Sequence, residues 1–188
     1  MIKHLRVAGI AVALLGASSV AGAQAKPAPA AAAGDLHWFV GVGPAKPMAD
    51  LDSRSELGFN VVGGAEYLLM PEWGVRGELS FQSFGGRGIG AGTSTNEFGG
   101  LASVVFHPAI QKIPGMWKPY ALAGIGFYRG TASGFGISSS ANGFGFGLGG
   151  GTEVLIGGFN LFGEIRYINA SQDGSTTAWI PLTVGIRF

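Results

Sequence analysis

The last thirty residues of the chain alternate in character. From Phe159 onward, FNLFGEIRYI sets Phe159, Leu161, Gly163, Ile165 and Tyr167 at one parity and Asn160, Phe162, Glu164, Arg166 and Ile168 at the other. Successive side chains of a strand point to opposite faces, so the first set is an apolar face and the second carries a Glu and an Arg. The terminal run repeats the code, with Ile180, Leu182, Val184, Ile186 and Phe188 opposed to Pro181, Thr183, Gly185 and Arg187. Alternation shows two faces without saying which one is inside.

The same period extends back through the chain. Extended segments are predicted at 36–44, 57–68, 74–84, 96–107, 118–129, 142–156, 159–169 and 178–188. Most are about 9–13 residues long, longer than ordinary globular strands and close to the ~9–11 residues a tilted strand needs to cross a bilayer. Parity sorts several of them. Leu57, Phe59, Val61, Ala65, Tyr67 and Leu69 oppose Asn60, Gly64 and Glu66; Val75, Leu79 and Phe81 oppose Arg76, Glu78, Ser80 and Gln82. Phe144, Phe146, Leu148, Val154 and Ile156 oppose a run of glycines and Glu153. In the fourth segment Phe98, Ala102, Val104 and Phe106 face away from Glu97, Ser103 and His107, but Leu101 and Val105 share the polar side. The first and fifth segments do not resolve.

The connections alternate too. Polar or Gly/Ser-rich loops follow the first, third, fifth and seventh segments (45–56, 85–95, 130–141 and 170–177), and tight turns follow the second and sixth, at 69–73 and 157–158. Short turns at one end and longer loops at the other are the pattern of transmembrane barrels. His107 to Trp117 breaks it, being long on the short-turn side.

Charge then separates inside from outside. All five lysines, Lys3, Lys26, Lys46, Lys112 and Lys118, fall outside the segments or at their ends. A soluble barrel normally carries several on its wet outer face. The mid-segment charges are instead Glu66, Arg76, Glu78, Glu97, Glu153, Glu164 and Arg166, with Arg187 near the end. An Arg or Lys facing hydrocarbon at the bilayer centre costs about 2–4 kcal/mol, so this set is expected in the lumen, with Phe, Leu, Val and Ile toward lipid. Amphipathic rings favour the membrane interfaces. Trp38, Tyr67, Trp73, Trp117, Tyr120 and Phe188 are expected at the turn-side rim, and Trp179 with Tyr128 at the loop-side rim.

Composition adds compartment. Charged residues make up 12% of the chain, against roughly 25% in a soluble domain, and 35 of the 188 residues are glycine. Cysteine is absent, which excludes a disulfide scaffold, a thiolate zinc site and a cysteine nucleophile. Lys3, His4 and Arg6, then an apolar run from Val7 to Val20 and Ala21-Gly22-Ala23, read as a secretory signal peptide over 1–23 with cleavage near Ala23. The run is short of the ~18 apolar residues a helical anchor needs. Residues 24–34 form an Ala/Pro linker, and 35–188 the domain. Removing Lys3 and Arg6 leaves ten of the 12 basic residues against 11 acidic ones, a net charge of −1, with no basic footprint for nucleic acid.

The export signal, the eight-segment rhythm, Gly163-Glu164-Ile165-Arg166-Tyr167 and the terminal Thr183-Val184-Gly185-Ile186-Arg187-Phe188 together resemble the small outer-membrane β-barrel family that includes OmpA-type, OmpX-type and opacity-protein barrels. The resemblance covers nearly all of 35–188 and rests on the ensemble rather than on any one motif. It implies an all-β fold, an eight-stranded antiparallel up-and-down transmembrane barrel in the outer membrane of a Gram-negative-type cell. It also implies outer-membrane lipid and the barrel-assembly machinery as partners, the latter reading Val184, Ile186 and Phe188 as a C-terminal signal. With nothing after Phe188, no peptidoglycan-binding domain of the OmpA type is expected.

An eight-stranded barrel is just wide enough for its side chains to fill. Buried charges there must pair, so Glu66, Arg76, Glu78, Glu97, Glu153, Glu164, Arg166 and Arg187 are expected to form a salt-bridged plug, with the glycine face of the sixth segment making room for long side chains. A structural or adhesive role follows, the loops meeting an external ligand that their Gly, Ser, Thr and Asn do not identify. The competing class is a narrow pore or transporter. A third, a soluble periplasmic lipid-binding barrel, requires the apolar face inside. Enzymatic activity is not expected, because His37 and His107 sit on the turn side with no nucleophilic serine near either. No cofactor is expected, since the glycine-rich run at 145–150 lacks a strand-turn-helix context. No metal is expected at Asp50, Asp52 and Glu56, which lack calcium-loop spacing.

Overall fold

The computed structural model describes residues 33–48, 51–53, 55–86, 88, 92–109, 117–172 and 175–188. The export segment, most of the Ala/Pro linker, Asp50, Lys112 and the centre of the 107–117 connection lie outside the described residues. Eight strands follow one another: β1 (Leu36–Met48), β2 (Gly58–Met70), β3 (Trp73–Gly85), β4 (Ser94–Phe106), β5 (Trp117–Gly134), β6 (Ile137–Ile156), β7 (Phe159–Gln172) and β8 (Ser175–Arg187). Each pairs antiparallel with its neighbour, and β8 closes back on β1. Closure removes the free sheet edges that hydrocarbon would leave unsatisfied.

Trp38 and Phe188 exchange backbone hydrogen bonds where β1 meets the end of the chain, at 2.7 and 2.9 Å. That end of the barrel also holds the turn at Pro71-Glu72, the end of β4 at Phe106, the start of β5 at Trp117 and the Gly157-Gly158 turn. Both of these glycines have positive φ, which L side chains rarely adopt. The opposite end carries the described residues 51–53 and 55–57 of the first loop, the end of β3, the start of β4, the β5–β6 hairpin, the end of β7 and the start of β8.

Two of the expected loops are mostly strand. Residues 130–141 continue β5 and β6 to a two-residue turn at Phe135-Gly136, and β7 and β8 extend to Gln172 and Ser175. Their Thr and Ser residues suit a polar composition and a paired strand equally, so beyond the apolar zone the sheet carries on in hydrophilic form. β1 likewise reaches Met48, so Lys46 lies inside the strand near its loop end, exposed on the outer face.

The apolar parity faces outward on every strand. Phe59, Phe81, Phe146 and Ile165 are exposed, whereas Arg76 and Arg166 are 4% and 2% exposed and lie inside. β1 turns Phe39, Gly41, Gly43, Ala45 and Pro47 inward, and β5 turns Tyr120, Leu122, Gly124, Gly126 and Tyr128 inward. The faces that sequence left unresolved are thus glycine and aromatic rather than charged.

Candidate functional site

Inside the barrel the polar parity of each strand converges. β3 and β7 stand four strands apart in an eight-stranded ring, on opposite walls, and their inner side chains meet across the lumen. Arg76 Nη1 donates to Glu164 Oε2 at 2.6 Å, and Arg166 pairs with Glu78. Arg166 Nε also lies 2.9 Å from Glu164 Oε1 on its own strand. Arg76 reaches Glu66 through Nε and Nη2 at 3.0 and 2.9 Å, and Arg187 bridges Glu66, at 2.8 Å, to Glu153. The Tyr120 hydroxyl donates to Glu164 Oε2 at 2.8 Å. His107 Nε2 lies 2.7 Å from Glu66 Oε1 at the turn-end mouth.

Seven of the eight residues expected in the lumen therefore form one connected set of three arginines and four glutamates. Arg76 is also sandwiched, its guanidinium carbon 4.8 Å from the Phe39 ring and 5.1 Å from that of Tyr120. The gap bounded by Phe39, Arg76, Tyr120, Glu153, Phe162 and Arg187 has no room for a water molecule. Lining β6 with glycine is what makes this possible: a Cβ at Gly149 would sit 2.3 Å from the Ile165 carbonyl oxygen and 2.6 Å from Arg166 Cγ.

Glu97 is the exception. It is buried and inward, but nearer the loop end, where it accepts a hydrogen bond from Gln172 Nε2 at 2.8 Å and meets no arginine among the described residues. The loop-end half of the lumen also holds an apolar layer of Ala45, Phe84, Leu101, Tyr128, Ile168, Ala170 and Trp179, with Leu51 of the first loop packed against it. Above this layer an open cavity of about 860 Å³ occupies the loop-end mouth, and Glu97 and Gln172 line its floor.

Three residues expected in the aromatic girdle are not there. Trp179 is fully buried, edge-on to Tyr128 at 5.4 Å within the lumen, and Tyr120 is buried against Glu164. Trp179 shares the parity of Thr183 and Arg187, so the strand period fixes its side and ring chemistry does not. Tyr128, also expected at a rim, is inside for the same reason. Trp38, Tyr67, Trp73 and Trp117 are on the outer surface near the turn end. At the loop-end half the outer rings are phenylalanines, with Phe59 on Phe81 at 6.0 Å and Phe127 on Phe144 at 5.5 Å. Sequence reading passed over these because Phe lacks the polar edge sought at an interface. It also passed over Gln82 and Gln172, although the parity of Gln82 was already assigned.

Val184 and Ile186 lie on the outer face of β8, and Phe188, just past its end, is exposed with them. Asp52 and Glu56 are exposed in the first loop, and among the described residues no group of three His, Cys, Asp or Glu side chains is placed to hold a metal ion.

A closed eight-stranded barrel with an apolar exterior and an ion-paired interior defines a transmembrane β-barrel. The family model described as "Outer membrane protein beta-barrel domain" matches residues 10–188, and the chain belongs to that family, whose place is the cell outer membrane. Among solved structures it is similar to neisserial surface protein A, with a TM-score of 0.63 at 18% identity, covering 81% of this chain and 95% of that one. It is also similar to Ail, the attachment invasion locus protein of Yersinia pestis, with a TM-score of 0.51 at 23% identity over 82% and 99% of the two chains. The N-terminal β-barrel domain of OprF from Pseudomonas aeruginosa gives 0.51 at 14% identity over 82% and 99%. By sequence, no curated protein matches the chain.

Proposed function

We propose that this outer-membrane barrel is a non-conducting, non-enzymatic anchor whose loop end, turned to the cell exterior, serves a structural or adhesive role. Residues 1–23 direct export and are cleaved near Ala23, and the Val184, Ile186 and Phe188 edge is read by the assembly machinery during insertion. Lipid is the barrel's permanent partner.

The observation that carries the closed lumen is the pair of bridges between opposite walls, Arg76 to Glu164 and Arg166 to Glu78. Breaking a buried pair leaves an uncompensated charge at a cost of about 3–5 kcal/mol, so opening a water path through this layer is unfavourable. The apolar layer around Tyr128 and Trp179 supports the same reading from above. Ail, whose name records attachment and invasion, shares the fold, and we assign this chain's loop end a comparable use.

Purified protein reconstituted in planar bilayers tests the closed lumen. No steady current is expected. A steady open-channel current would put a narrow pore or transporter in place of the anchor. For the adhesive role, cells displaying the chain should bind surfaces that cells displaying a loop-swapped chimaera do not; equal binding by both would remove it.

A further inference from the structure

The cavity at the loop end has a wall chemistry unlike that of the lumen below it. Its sides are supplied by the ends of β4, β5, β6 and β8 and by the first loop, and the inward parity puts hydroxyls on them at Thr95, Ser139 and Thr177, with Ser55 added from the first loop. Phe135 is the one aromatic ring on the described wall. Glu97 is the one charged side chain there, and it is 1% exposed.

Glu97 meets no cation among the described residues, in contrast to the four glutamates of the arginine network. A buried carboxylate without a counter-charge is costly. The backbone is nevertheless shaped to keep it: a Cβ at Gly130 would stand 2.6 Å from Glu97 Oε1 and 2.8 Å from Gln172 Oε1, so glycine is what leaves both side chains their place. Gln82, paired with Glu97 across the β3–β4 ladder, is fully buried with neither amide atom hydrogen-bonded. The floor thus carries a negative charge, with unused donor and acceptor capacity behind it at Gln82.

We propose that this cavity binds a small hydroxylated amine, of which amino sugars are the representative class, with its ammonium on Glu97 and its hydroxyls against the Ser and Thr wall. One carboxylate matches one positive charge; a divalent metal would leave a charge uncompensated. The volume falls within the range of organic ligand sites, ~300–1,000 Å³, and far exceeds a bare ion. With so few rings on the wall, stacking cannot hold a neutral sugar, and the charge-assisted hydrogen bond becomes the discriminating contact.

The inference rests on the loop end being a ligand-facing surface, but binding to purified protein does not depend on which side of the membrane that end faces. Calorimetric titration of the full chain in detergent micelles with glucosamine, glucose, N-acetylglucosamine and methylammonium is the test. Glucosamine is expected to bind at least about tenfold more tightly than glucose or N-acetylglucosamine. Glu97→Gln should weaken glucosamine by about tenfold or more, while Glu97→Asp, which keeps the charge, retains most of the affinity. Thr95→Val, two residues along β4 from Glu97 on the same inner face, should weaken glucosamine and leave methylammonium unchanged, and it supplies the answer if Glu97→Gln does not fold. Equal binding of glucose, unchanged binding by Glu97→Gln or by Thr95→Val, or no binding of glucosamine at millimolar concentration would overturn the proposal. Protease accessibility of the loops on whole cells tests the outward orientation separately.

Discussion

Arg166 has little choice of partner. Its side chain is buried inside the barrel, paired with Glu78 from the opposite wall and with Glu164 two positions away. Replacing it with Met strands the Glu78 carboxylate in the lumen, whereas Glu164 keeps Arg76 and Tyr120. Arg166→Met is therefore expected to destabilise the barrel by about 3–5 kcal/mol, and the double variant Arg166→Met/Glu78→Gln to recover much of that. Urea unfolding midpoints in phospholipid vesicles measure both, and an unchanged single variant would contradict the pairing. Glycine gives a second residue-level contrast. Gly149 faces the lumen, where a Cβ meets backbone at 2.3 Å; Gly163 faces outward with nothing within 4 Å. Gly149→Ala should cost about 1–3 kcal/mol by the same assay, and Gly163→Ala should stay within about 0.5 kcal/mol of the parent. Parity was enough to put these glycines and the arginines on the correct face. Trp179 was misplaced because its chemistry suggested an interface while its position, odd like Arg187 and Thr183, already pointed inward.

At the level of elements, the legible strands were those with charge on one face and branched or aromatic carbon on the other. β3 and β7 meet that condition and read cleanly. β1 and β5 do not: their inner positions mix glycine and alanine (Gly41, Gly43 and Ala45; Gly124 and Gly126) with Phe39, Tyr120, Leu122 and Tyr128 and carry no charge, so neither face announces itself. The glycines make space for neighbours, and that space becomes apparent once the neighbours are in register. The β5–β6 hairpin was hidden differently, its polar end resembling a loop. Its turn holds Phe135 at φ +52° and Gly136 at φ +79°, the two positive values a two-residue hairpin turn requires and that Asn-Gly satisfies without strain. A bulky residue there costs about 1–2 kcal/mol. Phe135→Asn is accordingly expected to raise hydrogen-exchange protection of the amides flanking the turn, in the paired segments that end at Gly134 and begin at Ile137. Lower protection in the variant would mean that the Phe135 ring stabilises the hairpin through contacts that outweigh the strain.

For the molecule as a whole, the ordering of layers follows from one division of solvent. Hydrocarbon takes the apolar parity of all eight strands, and everything ionised must then be accommodated in a lumen only wide enough for side chains. That requirement ties the arginines to glutamates across the barrel, leaves β6 lined with glycine, and sets Glu97 apart under a wet mouth. The chain has no cysteine, so single nitroxide labels can be introduced without background along β4 from Gly100 to Val105. In phospholipid bilayers, oxygen accessibility should be high at Gly100, Ala102 and Val104 and low at Leu101, Ser103 and Val105, repeating every second residue. The reverse phase, or no period of two, would contradict the assignment of hydrocarbon to the outside and charge to the lumen.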